Sequence, residues 1–162
     1  ECEIFLCAPP VHSSLVGFQI FSVRMSGVIR RVIFSKLAPM VVGSPYNQAV
    51  QAGQTVYVSG VLGLNCETMK LVEGGAVKEA EQALQNLGHI LTAADSDYSK
   101  VVKNTVFLDN IEDFAAVNEV YKKYFKEPFP ARSCFQVAKL PLGAKVEIET
   151  IALSGTVTDV KS

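Results

Sequence analysis

Two segments of this chain carry helical periodicity, and extended runs flank both of them. That order constrains the fold more than any other feature. Between Gly75 and Ala94, residues Ala76, Ala80, Ala83, Leu84, Leu87, Ile90, Leu91 and Ala94 recur at helical spacing. Lys78, Glu79, Gln82 and Gln85 fall on the other faces, so the segment reads as an amphipathic helix. Gly88 in its middle costs about 1 kcal/mol against alanine, which predicts close packing against a neighbour. The second helix is expected behind Asn110, an N-cap residue close to a capping-box arrangement with Asp113. It runs to about Phe125, with Phe114, Val117, Tyr121, Tyr124 and Phe125 as its buried stripe, and Pro128 and Pro130 stop it. Strand patterns read as RRVIFS, TVYVSGVLG, KVVKNTVFLD, ARSCFQVAKL and KVEIETIALSG. SPYNQAVQAG reads as a loop leading into a short extended piece, and NCETMKLVEGG as a turn-rich connection.

Two helices can cover only one face of a sheet of five or six strands. The last strand nevertheless carries apolar residues on both faces: Val146, Ile148 and Ala152 alternate with Ile151 and Leu153. The bare face needs a partner. Hydrophobic residues make up 49% of the 162, and mean hydropathy is +0.25, yet no uninterrupted apolar run of about 18 residues exists to span a membrane. Oligomerisation through the bare face is the expected outlet for that excess. A net charge of −1 excludes attachment to nucleic acid or an anionic membrane by bulk charge. No membrane partner is expected.

The length suits one domain, and residues 25–162 are expected to form it. Residues 1–24 differ in character: acidic Glu1 and Glu3, then Pro9-Pro10, then the short apolar piece LVGFQIFSV. The acidic start is the wrong sign for a signal peptide. These residues are expected to be an extension outside the compact domain, because Met25 is followed by SGVIRRVIFSK, which reads like the start of a fold. Cys2, Cys7, Cys66 and Cys134 include no C-x-x-C pair, so no metal site and no disulfide framework is expected. Reduced thiols and a cytoplasmic location follow as expectations. The two histidines, His12 and His89, fit no nucleophile motif, and His89 reads as structural. Any chemistry here is expected to run without histidine and without a cofactor.

The most informative segment is FPARSCFQVAKLPLGAKVEIE, Phe129 to Glu149. Arg132 stands alone among apolar and small residues behind Pro130. A guanidinium in that setting needs an anion, and its planar fork suits a carboxylate. Two partners stay open from the residues alone: Glu147 or Glu149 in a structural ion pair, or the carboxylate of a small ligand. Glu147 and Glu149 share one strand face, and Glu149 reads as solvated. Cys134 shares the face of Arg132 and reads as a small buried hydrophobe, with no visible general base.

GSPYNQAV, YVSG, GGAVKEAEQALQNLGHIL, VVKNTVFLDNIEDFAAVNEVYKKYF, FPARSCFQVAKLP and KVEIE occur here in one order. Together they resemble the reactive-intermediate deaminase family, also called YjgF or liver perchloric-acid-soluble protein, across about Val28 to Gly155. The resemblance implies an α+β, chorismate-mutase-like fold with a five- to six-stranded mixed sheet, two helices on one face, and a homotrimer with clefts between subunits. It implies hydrolysis of 2-imino acids, released as enamines by pyridoxal-phosphate dehydratases, to 2-keto acids and ammonia. By the same resemblance Arg132 grips the substrate carboxylate and Glu147 handles the attacking water. Tyr46, Ser59, Gly60, Asn118 and Cys134 complete the substrate site. One further activity comes with the resemblance, RNA cleavage that inhibits translation; a chaperone-like or regulatory binding protein with an unused cleft is the third reading. Only small basic clusters, Arg30-Arg31 with Lys36 and Lys122-Lys123 with Lys126, speak for RNA, and charged helix faces are usually just solvated.

Overall fold

A computed structural model of the chain describes residues 27, 29–40 and 43–160. The proposed extension, residues 1–24, lies outside the described residues, as do Cys2, Cys7 and His12. The described chain runs β1 (Arg30–Ile33), β2 (Ala49–Ala52), β3 (Thr55–Leu62), α1 (Gly75–Ala93), β4 (Val101–Leu108), α2 (Phe114–Tyr124), β5 (Ala131–Gln136) and β6 (Val146–Leu153). The short extended piece in SPYNQAVQAG is β2, which makes the sheet six-stranded.

Strand order is β1-β2-β3-β6-β4-β5. The last strand is thus inserted between β3 and β4, antiparallel to both. β6 is therefore central, with a ladder on either side. β4 and β5, joined by α2, form the one parallel pair among the described strands, so the sheet is mixed. α1 packs on β3 and β6 and against α2. Val56, Val58, Val106, Leu108, Val146, Ile148 and Ala152 point towards the helices and are buried against Leu84, Leu87, Leu91, Val117 and Phe125. Full burial of each such side chain contributes about 1.5–3 kcal/mol. The opposite face carries Tyr57, Phe107, Phe135, Glu147, Glu149 and Ile151. No element of the described chain covers it.

Some positions differ from the sequence expectation, each for a local reason. Asn110 caps a short 3-10 turn, accepting from the Glu112 amide at 3.1 Å, and α2 begins only after that turn. Phe114 of the expected buried stripe is exposed, because it flanks Arg132 at the start of α2. Glu79, expected on a solvated face, is 5% exposed; its carboxylate accepts from the Lys145 amide at 2.6 Å and so anchors the approach to β6. Asn86 is also buried, donating to the carbonyls of Leu62 at 3.1 Å and Leu64 at 2.9 Å, which ties α1 to the end of β3.

Gly88 behaves as its placement predicts. A Cβ there would overlap the hydroxyl of Tyr98, which donates to the Leu84 carbonyl at 2.6 Å. Burial pushes the Tyr98 phenol up to about 12. Gly88→Ala therefore sets a helix-propensity gain of about 1 kcal/mol against an overpacking cost of about 1–3 kcal/mol. The expected result is a melting temperature lowered by a few degrees in a thermal scan. A raised one would show that Tyr98 yields freely.

Candidate active site

The expected site residues fall into two groups within one chain. Tyr46, Ser59, Gly60 and Glu147 line a cavity of about 410 Å³, walled also by Pro39, Val61, Leu64, Ile90 and Leu142. Asn118, Arg132 and Cys134 stand elsewhere, between α2 and the β5 edge of the sheet.

The first group is assembled by β3, β6 and the loop before β2. The Ser59 hydroxyl donates to the Asn47 carbonyl at 2.7 Å, and the Ser59 amide donates to the Gln48 carbonyl at 3.0 Å. These bonds hold the Tyr46 loop against β3. Gln48, itself buried, donates from Nε2 to the carbonyls of Ala38 at 2.8 Å and Ser35 at 3.1 Å, and accepts from the Ser35 amide at 2.6 Å. One side chain thereby clamps the segment that carries the Pro39 wall. The β3–β6 register shifts between Val58 and Val61, and Gly60 sits in that irregularity. A Cβ on Gly60 would overlap the Glu147 carboxylate, so glycine here is what admits the acid to the cavity. Leu142 holds its apolar side chain at the rim from a left-handed backbone, φ 58°.

Glu147 is half-buried, and among the described residues it is in no ion pair. Burial first, and the neighbouring Glu149 second, push its carboxyl above the ordinary carboxylate value. A carboxylate raised in this way is a better proton acceptor near neutral pH than a solvated one.

The second group surrounds a cation. Arg132 Nη1 donates to Asn118 Oδ1 at 2.7 Å, and the guanidinium carbon lies 4.8 Å from the Tyr121 ring centroid and 5.5 Å from that of Phe114. Arg132 is exposed. Cys134 lies on the same face two residues on, half-buried against the core. Burial pushes its thiol up, against the opposing pull of Arg132 and a backbone hydrogen bond. A thiol held neutral is a poor nucleophile, so its sequence reading as a small hydrophobe stands.

Strand register removes one of the partners left open for Arg132, an acid of its own β6. Arg132 pairs laterally with Asn104, and Asn104 with Thr150, on the helix-covered face. Glu147 pairs with Phe107 on the opposite face, and Glu149 with Thr105. A six-stranded sheet separates the guanidinium from both acids of its own chain. Among the described residues Arg132 is in no ion pair. An internal pair with Glu147 or Glu149 is ruled out.

Sequence reasoning missed Gln48 and the cavity wall, for which a single sequence carries no signal. It also read Phe114 and Tyr121 only as core. A signal existed for these two: Phe114, Asn118 and Tyr121 fall at i, i+4 and i+7, one stripe along α2. Among the described residues no cluster of three or more metal-ligating side chains occurs, and no helix is long and apolar enough to cross a membrane.

A family model described as Endoribonuclease L-PSP matches residues 36–154. In Drosophila melanogaster, the RutC family protein UK114 is 60% identical over 133 residues, covering 82% of this chain and 96% of that protein. The Homo sapiens protein named 2-iminobutanoate/2-iminopropanoate deaminase is 52% identical over 134 residues, 83% of this chain and 97% of its own. The crystal structure of RidA from an Antarctic bacterium, Psychrobacter sp., matches at 46% identity with a TM-score of 0.73, covering 76% of this chain and 98% of that one.

Proposed function

The chain belongs to the endoribonuclease L-PSP family, and from that membership we propose that it hydrolyses reactive 2-imino acids to 2-keto acids and ammonia. Relatives at 50–53% identity over most of the chain carry the names 2-iminobutanoate/2-iminopropanoate deaminase and Reactive Intermediate Deaminase. The observation that carries the reading is Arg132, a cation with one N–H committed to Asn118, an aromatic seat beneath it, and no ion-pair partner among the described residues. That is a receptor for a carboxylate brought from outside.

The separation of Arg132 from Glu147 supports a site formed between copies of the chain. So does the uncovered sheet face, where Val32, Tyr57 and Phe135 are each more than half exposed. A homotrimer, with one chain contributing the arginine group and its neighbour the cavity group, accounts for both. We take the resting compartment to be the reducing cytoplasm, on the thiol usage of the sequence.

The chemistry needs no covalent nucleophile. Arg132 holds the substrate carboxylate and so fixes the adjacent C=N carbon, removing much of the entropic part of the barrier. With its nitrogen protonated that carbon is electrophilic. Glu147 orients a water and accepts its proton as the water oxygen bonds to the carbon. The carbinolamine then expels ammonia as the C–N bond breaks: Glu147 returns its proton to nitrogen, accepts the hydroxyl proton as the C=O bond forms, and releases it as ammonium, leaving the 2-keto acid. Tyr46 closes over the cavity.

The RNA-cleaving alternative has less support. Arg31 is paired with Asp95 at 2.8 Å and Lys122 with Glu119 at 2.7 Å, and Lys126 Nζ donates to the Lys122 carbonyl, so each basic cluster is partly engaged on the surface. The deciding measurement is ammonia release from 2-iminobutanoate generated in situ. Acceleration over the spontaneous rate is expected. An unaccelerated rate from folded protein returns the cleft to a binding role.

A further inference from the structure

We propose that Tyr121, held by the buried Asn104, is a positioning residue for Arg132: its ring carries the guanidinium and its hydroxyl fixes the ring. The proposal rests on the reading of Arg132 as the carboxylate grip.

Asn104 is 0% exposed in the middle of the sheet. A buried amide is costly there unless both of its ends are bonded, and both are. Oδ1 accepts from the Thr150 hydroxyl at 2.7 Å, and Nδ2 donates to the Tyr121 hydroxyl at 2.7 Å. Apolar side chains of the same size would fill that space without any polar requirement. What distinguishes the polar set is the object at its end. Tyr121 is pinned at its hydroxyl by Asn104, and Phe125 stacks on its ring at 4.3 Å with 27° between the planes. Two constraints fix the orientation of the ring.

Arg132 stands beside Asn104 in the β4–β5 register, and Tyr121 reaches across from α2 to lie against it. Burial pushes the Tyr121 phenol up, although Asn104 and Arg132 act against that shift. The ring therefore stays neutral at physiological pH and presents its negative face to the cation. An arginine on an exposed strand otherwise samples many rotamers. Held between Tyr121, Phe114 and Asn118, it keeps a constant outward edge for a planar carboxylate. The buried trio Thr150–Asn104–Tyr121 thus transmits the rigidity of the core to a surface cation.

The test is binding of 2-oxobutanoate, a stable carboxylate probe, by titration calorimetry on the full chain, with KM and kcat for 2-iminobutanoate alongside. Tyr121→Leu removes the seat and is expected to weaken binding about tenfold. The loss should appear mainly in KM, with oligomeric state as in wild type and a melting temperature lowered because Asn104 loses its acceptor in the core. Tyr121→Phe keeps the ring but releases it from Asn104, and should recover most of the loss, leaving a deficit of about threefold. In an Arg132→Lys background the Tyr121→Leu effect should largely vanish, because the seat then has no guanidinium to orient. Wild-type binding by Tyr121→Leu, or an equal loss in the Arg132→Lys background, overturns the proposal. Should Tyr121→Leu fail to fold, Tyr121→Phe decides: a threefold deficit supports positioning and wild-type binding overturns it. An inactive Arg132→Ala beside unaffected Tyr121 variants defeats the positioning role alone. An active Arg132→Ala defeats the proposed function, and the positioning role with it.

Discussion

Arg132→Ala is expected to lower kcat/KM for 2-iminobutanoate by about 10²–10⁴-fold while leaving the protein folded. The magnitude follows from two charge-assisted hydrogen bonds to the substrate carboxylate, each contributing about 1.5–3 kcal/mol. Stability should barely change. Arg132 is exposed, and removing it leaves only the Asn118 carbonyl oxygen without its donor, in a place that water reaches. Ammonia release, thermal melting and a sizing measurement on the same preparation check the three statements together. Retained turnover would remove the carboxylate grip, and with it the reason for assigning an imino acid as substrate.

Glu147→Gln is expected to lower kcat by about 10²–10⁴-fold, the usual worth of a positioned proton acceptor, with binding of 2-oxobutanoate nearly unchanged. The pH dependence follows from the raised carboxyl. Glu147 works as a base only when ionised, so activity falls as pH drops through its pKa, and the upward shift moves that acid limb to higher pH than an ordinary carboxylate would give. Glu149→Gln removes the neighbouring negative charge. It should lower the Glu147 pKa and move the acid limb towards lower pH without abolishing turnover. Stability carries the opposite sign to activity. A carboxyl whose folded pKa lies above its unfolded one contributes stability that is complete below the unfolded value and lost as pH rises through the folded value. Ionised Glu147 is therefore a net cost to the fold at neutral pH. Glu147→Gln should melt somewhat higher than wild type there, and the advantage should disappear in acid. A lower melting temperature at neutral pH, or an acid limb indifferent to Glu149→Gln, would contradict the burial and repulsion argued for this carboxylate.

These two predictions separate the halves of the site. On the proposed roles, loss of Arg132 should appear in KM as well as kcat, and loss of Glu147 in kcat alone. The sheet between them gives a second check: a mixture of Arg132→Ala chains with Glu147→Gln chains should regain part of the lost activity once subunits exchange, because some clefts then combine an intact arginine with an intact glutamate. A cleft built within one chain cannot be restored by mixing.

Much of this was legible in the residues alone, because the signals were local. The periodicity of α1 and α2, the strand runs, the glycine at position 88 and the two-residue repeat that puts Arg132 with Cys134, and Glu147 with Glu149, are all decided by neighbours along the chain. The solitary Arg132 in an apolar stretch already demanded an anion. Its partner was not legible. Whether Glu147 or a ligand answers that charge depends on which face of the sheet each strand presents to the helices, and that depends on β6 entering between β3 and β4.

The burial of Glu79 and Asn104, the cation seat on Tyr121 and the Gln48 clamp have the same origin. Each needs contacts between residues far apart in the chain, and a single sequence does not encode those separations in any local pattern. Spacing of apolar residues determined the elements and the residue types available for chemistry. Register across the sheet alone decided that the arginine and the glutamate stand back to back. The pleat sends successive side chains to opposite faces, and only the alignment of one strand with the next tells which residues end on the same one.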